Sequence, residues 1–556
     1  MRGCRAGGHA RLRSSNGRDS GLVSDERRRQ AAAWLTATPS RETLPAMTQV
    51  LALSRRHQPH SRASAPARVL VVGAGIGGLA AAIRLAHAGY AVTVVERHAE
   101  PGGRAGVWKS EGFTFDTGPS MVMMREYWDE LFTAVDRRLD DYITLIRCDP
   151  CYRLHFADGS RLEITSDLPQ LIANLERIEP GCGSRALEWL ARTGELYRRG
   201  IGFIRRDMDR PWSMVQLGQM GLRYGRSALG DLQVMTRRFF RDERLRQAVT
   251  FQTLYLGLSP YASPGIYGLL AHTEIAGGIY YPMGGMHRLA TALEQVGKEL
   301  GVEYHYDTEV TRLATEAQRV TASRLADGRE IKADVVVANA DLPYTYSRLL
   351  GEPYPGIDRK KFSCSVVLLY LGVSRTFPDL LHHNLVVSSD LLESCRLLCD
   401  EHRMPADPPF YVVATTRTDP EQAPPGCESL FVLVLAPSQD PHHPIDWSVE
   451  GPRVEQQTLE RLEALGACDL RRHIVTKRLM TPADFTSKFG NLRGEAFGLS
   501  HGLTQIGYFR PRNRHARFRN LYFVGQSTHP GCGLPMVLIS AELVTGRICR
   551  EIRTGR

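Results

Sequence analysis

The stretch Val69-Leu70-Val71-Val72-Gly73-Ala74-Gly75-Ile76-Gly77-Gly78 decides the fold. Its first four residues form a short apolar run rich in β-branched side chains, the pattern of a buried strand. Beyond the glycines, Leu79, Ile83 and Ala86 recur at helical spacing across 76–88, and Gly89 is a fitting stop. Residues 91–96 read as a second buried strand, completing a β-α-β unit. In such a unit Gly73 permits the tight turn, Gly75 lets a pyrophosphate approach the backbone, and Gly78 lets the helix pack close to the strand. The helix N-terminus offers unpaired N–H groups and a partial positive charge to phosphates. Glu96 ends the second strand 18 residues after Gly78, where an acid can bind ribose hydroxyls. A glycine-rich turn without a ligand is the bland alternative; the strand–helix–strand context and Glu96 favour a nucleotide.

Working outward, Pro101-Gly102-Gly103-Arg104 follows the unit closely. A Gly-Gly-Arg turn presents backbone amides and a guanidinium to the second phosphate of a long cofactor, although it also reads as a surface turn. Asp116-Thr117-Gly118-Pro119 adds a turn with an acid. Far along the chain, a strand at 521–524 leads through Gly525 into Gln526-Ser527-Thr528-His529-Pro530-Gly531-Cys532-Gly533 and a helix over 535–552. A strand ending in Gly525 can pass close to a ribityl chain. The positive end of the following helix suits the anionic edge of a reduced flavin. These turns select FAD over NAD.

The bulk numbers narrow the class. The 556 residues are enough for two cores of ordinary size. The formal charge of +10 resembles that of a nucleic-acid binder, but +9 of it falls within residues 1–68. The rest is nearly neutral, and nucleic-acid binding loses its support. The 11 cysteines are irregularly spaced. Cys148-Asp149-Pro150-Cys151 has no second pair at finger spacing, so no metal is expected, and free thiols fit a reducing compartment. There is no run of 18 apolar residues, so no spanning helix is expected. The Arg-rich tail, 1–67, reads as disordered or as an over-extended start with Met47 as the working methionine.

Elsewhere, Asp158-Gly159 marks a hairpin between strands near 154–156 and 161–164, within a stretch from about 120 to 270 that is mostly helical. A helix over 288–301 and strands over 301–306, 309–313 and 334–338 follow. The fold class is α/β. A Rossmann-type FAD-binding domain (68–125, 272–345 and 495–556) is interleaved with an α+β substrate-binding domain (126–271 and 346–494) that has a helical part.

These motifs resemble those of the bacterial and fungal phytoene desaturases, within the FAD amine-oxidase-like superfamily. The resemblance runs from Arg68 to Ile552. It is carried by Val71–Gly78 with Glu96, Pro101–Arg104, Gly112–Pro119, Asp149–Leu154, Tyr281–Gly285, Ala338–Pro343 and Asn520–Leu534. Gln526 departs from it, standing where the family has a small residue. The resemblance implies that Gly73, Gly75, Gly78, Glu96, Gly103 and Arg104 hold the adenosine and pyrophosphate. It also implies that Val310 meets the adenine through its backbone and that Gly525 and Val537 lie beside the flavin.

The implied reaction is FAD-dependent desaturation of a carotenoid precursor, with hydride transfer to the flavin. A long hydrocarbon substrate implies docking on the inner face of a membrane from the cytoplasm. The mixed apolar and basic stretch 203–240, with Trp212, Met214, Tyr224 and Arg223, is the expected surface. Quinone or oxygen is the expected electron acceptor. His529 is the most tempting general base, but a role in shaping the turn weighs more. A desaturase or isomerase of another polyene is the rival within the class. A lipid carrier on the same fold, like the Rab GDP-dissociation inhibitors, is the rival outside it.

Overall fold

The computed structural model describes residues 66–208, 215 and 229–553. The opening stretch forms the middle of a parallel five-stranded sheet. Its order is Leu521–Phe523, Val335–Ala338, Arg68–Val72, Ala91–Val95 and Glu303–His305. Val69–Val72 are buried on both faces, as an apolar run in a covered parallel sheet must be. The helix Ile76–His87 crosses between the first two strands in sequence. It packs against helix His287–Glu299 and the last helix, Leu534–Arg553. Gly89, at φ +90°, turns the chain out of the helix, where a side chain would be strained.

A seven-stranded sheet forms the second body of the fold. Its order is Ile474–Met480, Ser365–Val373, Glu428–Ala436, Phe410–Ala414, His383–Val386, Tyr152–His155 and Arg161–Ile164. All neighbours are antiparallel except Tyr152–His155 and His383–Val386. Ser365–Val373 is buried throughout, so its side chains divide by the two-residue period of a strand. Val367, Leu369 and Leu371 pack with Trp447 and Val454 of helix Trp447–Ala464. Val366 and Leu368 face the other way, into a large cavity.

The expected hairpin at Asp158-Gly159 is present, with Gly159 at φ +82° and the Asp158 carboxylate accepting from the Ser160 N–H at 2.9 Å. The second strand stops at Val95, so Glu96 stands just beyond its end. The turn expected at Asp116–Pro119 follows an unforeseen strand, Phe113–Asp116, paired with Val107–Ser110. The helical stretch contains Leu168–Ile178 and the 22-residue Gly183–Ile204.

Half of the expected membrane surface, including Trp212, Met214, Arg223 and Tyr224, lies outside the described residues. Of its described part, Arg205 pairs with Glu130 and Glu542, and Phe240 is buried beside Trp189. Phe240 therefore serves the interior, while Arg205 forms a partly exposed ion-pair network. No helix among the described residues is long and apolar enough to cross a membrane.

Candidate functional site

The glycine turn is built as its spacing requires. A Cβ on Gly78 would lie 2.2 Å from the Gly73 carbonyl oxygen, so only glycine lets the helix approach the strand. Gly75 caps the helix, whose first turn carries no acid to compete for an anion. The Gly102 N–H donates to the Ala74 carbonyl at 2.8 Å, laying the Pro101–Arg104 turn against the first turn. Glu96 is buried. It accepts from the Ala74 N–H at 2.7 Å and the His98 N–H at 3.0 Å, with His98 Nδ1 at 2.7 Å. Burial pushes this carboxyl up, but the His98 and Ala74 hydrogen bonds outweigh it and leave Glu96 below its usual range, hence ionised.

These residues open onto one cavity of about 480 Å³. Gly73, Gly75, Glu96, Gly103, Arg104, Val310, Gly525 and Val537 all line it. Gly78 does not, and acts through packing alone. The first turn of Leu534–Arg553 contributes Leu534, Pro535 and Val537 to the wall. Away from the glycines the cavity continues over the seven-stranded sheet, where Phe251, Leu254, Leu385, Phe410 and Leu433 give it an apolar wall. One space therefore has a glycine-lined polar part and an apolar extension.

Two buried atoms test whether a dinucleotide fits. Arg104 donates from Nη2 to Asn491 at 2.9 Å, but its Nε lacks a partner. Asp341 accepts from the Ser527 hydroxyl at 2.5 Å through one oxygen, and its other oxygen, Oδ2, has no partner. Both residues line the cavity. An uncompensated buried donor is costly, and an anionic cofactor supplies what Arg104 lacks. Burial pushes Asp341 up despite the Ser527 bond. Burial, then the Asp341 charge, pushes Glu495 up to about 8. Two buried carboxyls this close resist being ionised together.

Sequence reasoning gave no role to Asn339, which organises the turn. Its Nδ2 donates to the Val524 carbonyl at 2.9 Å, and its Oδ1 lies 2.6 Å from where a Cβ on Gly75 would stand. The motif Ala338–Pro343 was visible, but its partners are distant in sequence. His529 does not line the cavity. Its Nε2 meets the carbonyls of Ile204 at 2.9 Å and Arg206 at 3.1 Å, and burial lowers its pKa to about 4. The ring ties the Gly525–Gly533 segment to the end of helix Gly183–Ile204. Cys148 and Cys151 are free thiols, pushed by burial to about 12 and about 11.

A parallel dinucleotide sheet joined to a sheet with an apolar pocket defines the class: an FAD-dependent oxidoreductase. Residues 76–549 match the family model for flavin containing amine oxidoreductases. The chain is 47% identical over 492 residues to a zeta-carotene-forming phytoene desaturase of Myxococcus xanthus, covering 86% of this chain and 93% of that protein. It is 34% identical over 497 residues to a phytoene desaturase of Phycomyces blakesleeanus, covering 87% and 85%. An oxidoreductase structure from Methanosarcina mazei shares the fold at 18% identity and a TM-score of 0.57, covering 86% of this chain and all of that one. The chain belongs to the flavin containing amine oxidoreductase family and, within it, to the phytoene desaturases.

Proposed function

We propose that the chain desaturates phytoene to more conjugated carotenes, drawing electrons from C–H bonds next to existing double bonds into FAD. The observation that carries this reading is the continuity of the cavity, from glycine turns that suit a pyrophosphate to an apolar wall that suits a polyene. Bound in the polar part, FAD supplies the hydride acceptor. The chain's own residues do the rest. Glu96 holds a ribose, Arg104 and the helix N-terminus hold phosphates, and Val310, Gly525 and Val537 border the cofactor. Leu385, Phe410 and Leu433 bind the hydrocarbon and keep water from it.

The sheets support the domain assignment. The strands of the parallel sheet fall in 68–125, 272–345 and 495–556, and those of the seven-stranded sheet in 126–271 and 346–494. Delivery of a water-insoluble substrate favours a cytoplasmic protein resting on the inner face of a membrane, with quinone or oxygen as final acceptor. Flotation with anionic liposomes tests the docking; protein remaining wholly in the soluble fraction overturns it.

The test of the activity is anaerobic incubation of the flavin-loaded protein with phytoene in liposomes, followed by chromatography. Coloured carotenes should appear as the flavin absorbance bleaches. Unchanged phytoene at full flavin content would overturn the reading.

A further inference from the structure

Cys148 ends the strand Leu145–Cys148, and His382 and His383 stand at the start of an inner strand of the seven-stranded sheet. The fold brings the three together. Among the described residues, one ligand atom from each lies within 4.8 Å of the others, and all three side chains are buried.

The hydrogen bonds around the histidines leave one nitrogen of each ring free. His382 Nδ1 meets the Thr418 hydroxyl at 2.6 Å, and His383 Nδ1 meets the Tyr411 hydroxyl at 2.6 Å. Both Nε2 atoms are buried without a partner. A buried imidazole nitrogen left unsatisfied is costly, so the two orphaned Nε2 atoms need an explanation. A ring held at one nitrogen by an outer partner, with the other nitrogen free, is the arrangement of a metal-binding histidine. Thr418 also lies 4.0 Å from the Cys148 sulfur, so one hydroxyl borders two of the three groups. The Tyr281 ring packs on His382 at 4.7 Å and closes the apolar side.

We propose that Cys148, His382 and His383 form a binding site for one thiophilic metal cation. Zinc bonds of about 2.0–2.3 Å set ligand atoms roughly 3.3–3.6 Å apart in a tetrahedral site. Side chains now within 4.8 Å reach that by closing about an ångström. Binding replaces the Cys148 S–H bond with a sulfur–metal bond and releases the proton to solvent. Charge ranks the ions. A thiolate and two neutral imidazoles carry one negative charge, which a monovalent ion cancels, whereas a divalent ion leaves a net charge in a buried place. Soft Cu(I) therefore ranks ahead of Zn(II). The ion clamps Leu145–Cys148 to the strand His383–Val386. Tyr411, bonded to His383, lines the cavity, so the clamp lies one residue behind the substrate wall.

The test uses flavin-loaded protein produced with added copper or zinc, stripped of loose metal by chelator dialysis and assayed for metal per flavin. One retained equivalent is expected, falling at least tenfold in Cys148→Ala and in His383→Ala. X-ray absorption on the unaltered protein should show one sulfur and two imidazole nitrogens around the metal, a readout that does not depend on the variants folding. Retention of zinc in place of copper upholds the site and overturns only the ranking of ions. Retention below a tenth of an equivalent with both supplements, undiminished retention in Cys148→Ala, or absorption without a sulfur ligand each overturns the proposal.

Discussion

Glu96 accepts a hydrogen bond from the N–H of Ala74 at 2.7 Å, so the acid expected to hold a ribose is braced by the glycine turn itself. Replacing it disturbs both. Glu96→Gln keeps an acceptor for Ala74 but loses the charge, and hydrogen bonds to charged groups contribute about 1.5–3 kcal/mol. We expect FAD to bind roughly 10–100-fold more weakly, read by flavin fluorescence on dilution. Unchanged affinity would remove Glu96 from the cofactor site.

Gly78 makes a different demand. A Cβ there would stand 2.2 Å from the Gly73 carbonyl oxygen and 3.1 Å from the Asn339 Cβ, so the helix must move away from the strand. Gly78→Ala should cost about 1–3 kcal/mol of stability and release FAD, although Gly78 itself does not line the cavity. Thermal melts with and without added FAD measure this. A wild-type melt would show that the helix has room to shift.

His529 bears on pH. Its pKa in the fold is about 4, below the ordinary value of 6.5, because burial disfavours the charge. The unfolded chain therefore takes up a proton first as pH falls. Its stabilising contribution is complete above about pH 6.5 and is lost progressively down to about pH 4. His529→Ala should lose this increment of acid sensitivity and, with the tie to Ile204 and Arg206 cut, lose flavin and activity together. Full flavin occupancy with no turnover would assign the ring a chemical role instead.

Asp341 separates charge from hydrogen bonding. Burial shifts Asp341 toward its neutral form, and Asp341→Asn keeps an acceptor for the Ser527 hydroxyl, so flavin content should stay near that of the wild type. Asp341→Ala should lower it severalfold. Equal losses in both variants would mean that a carboxylate is needed. Flavin-to-protein absorbance ratios decide between these outcomes.

What the sequence made legible was local. Gly73, Gly75, Gly78 and Glu96 act within one β-α-β unit, where spacing translates directly into position. Gly525 was readable because a strand and a helix bracket it. Asn339 was not, because its work depends on Val524 and Gly75, which only the folded sheet brings near. The closeness of Asp341 to Glu495 is likewise a product of packing, as is the meeting of Cys148 with His382. The strand Phe113–Asp116 was not legible because it is four residues long and its partner strand has no buried residue, while Phe113 and Phe115 are its buried side chains. His529 reads as shaping the turn more than as a base, and its ring nitrogen does meet backbone carbonyls in the fold.

The sheet that carries the cofactor turn has Leu521–Phe523 at one edge, and the helix that covers its first helix is Leu534–Arg553. Both are made late. On the ribosome, the glycine turn thus emerges hundreds of residues before the partners that enclose it, and its apolar strands wait without their final cover. A complete FAD site can therefore form only after the last helix is made, and apolar strands awaiting their cover are open to aggregation until then. Poor yield of a soluble product would trace to this delay rather than to weak cofactor binding.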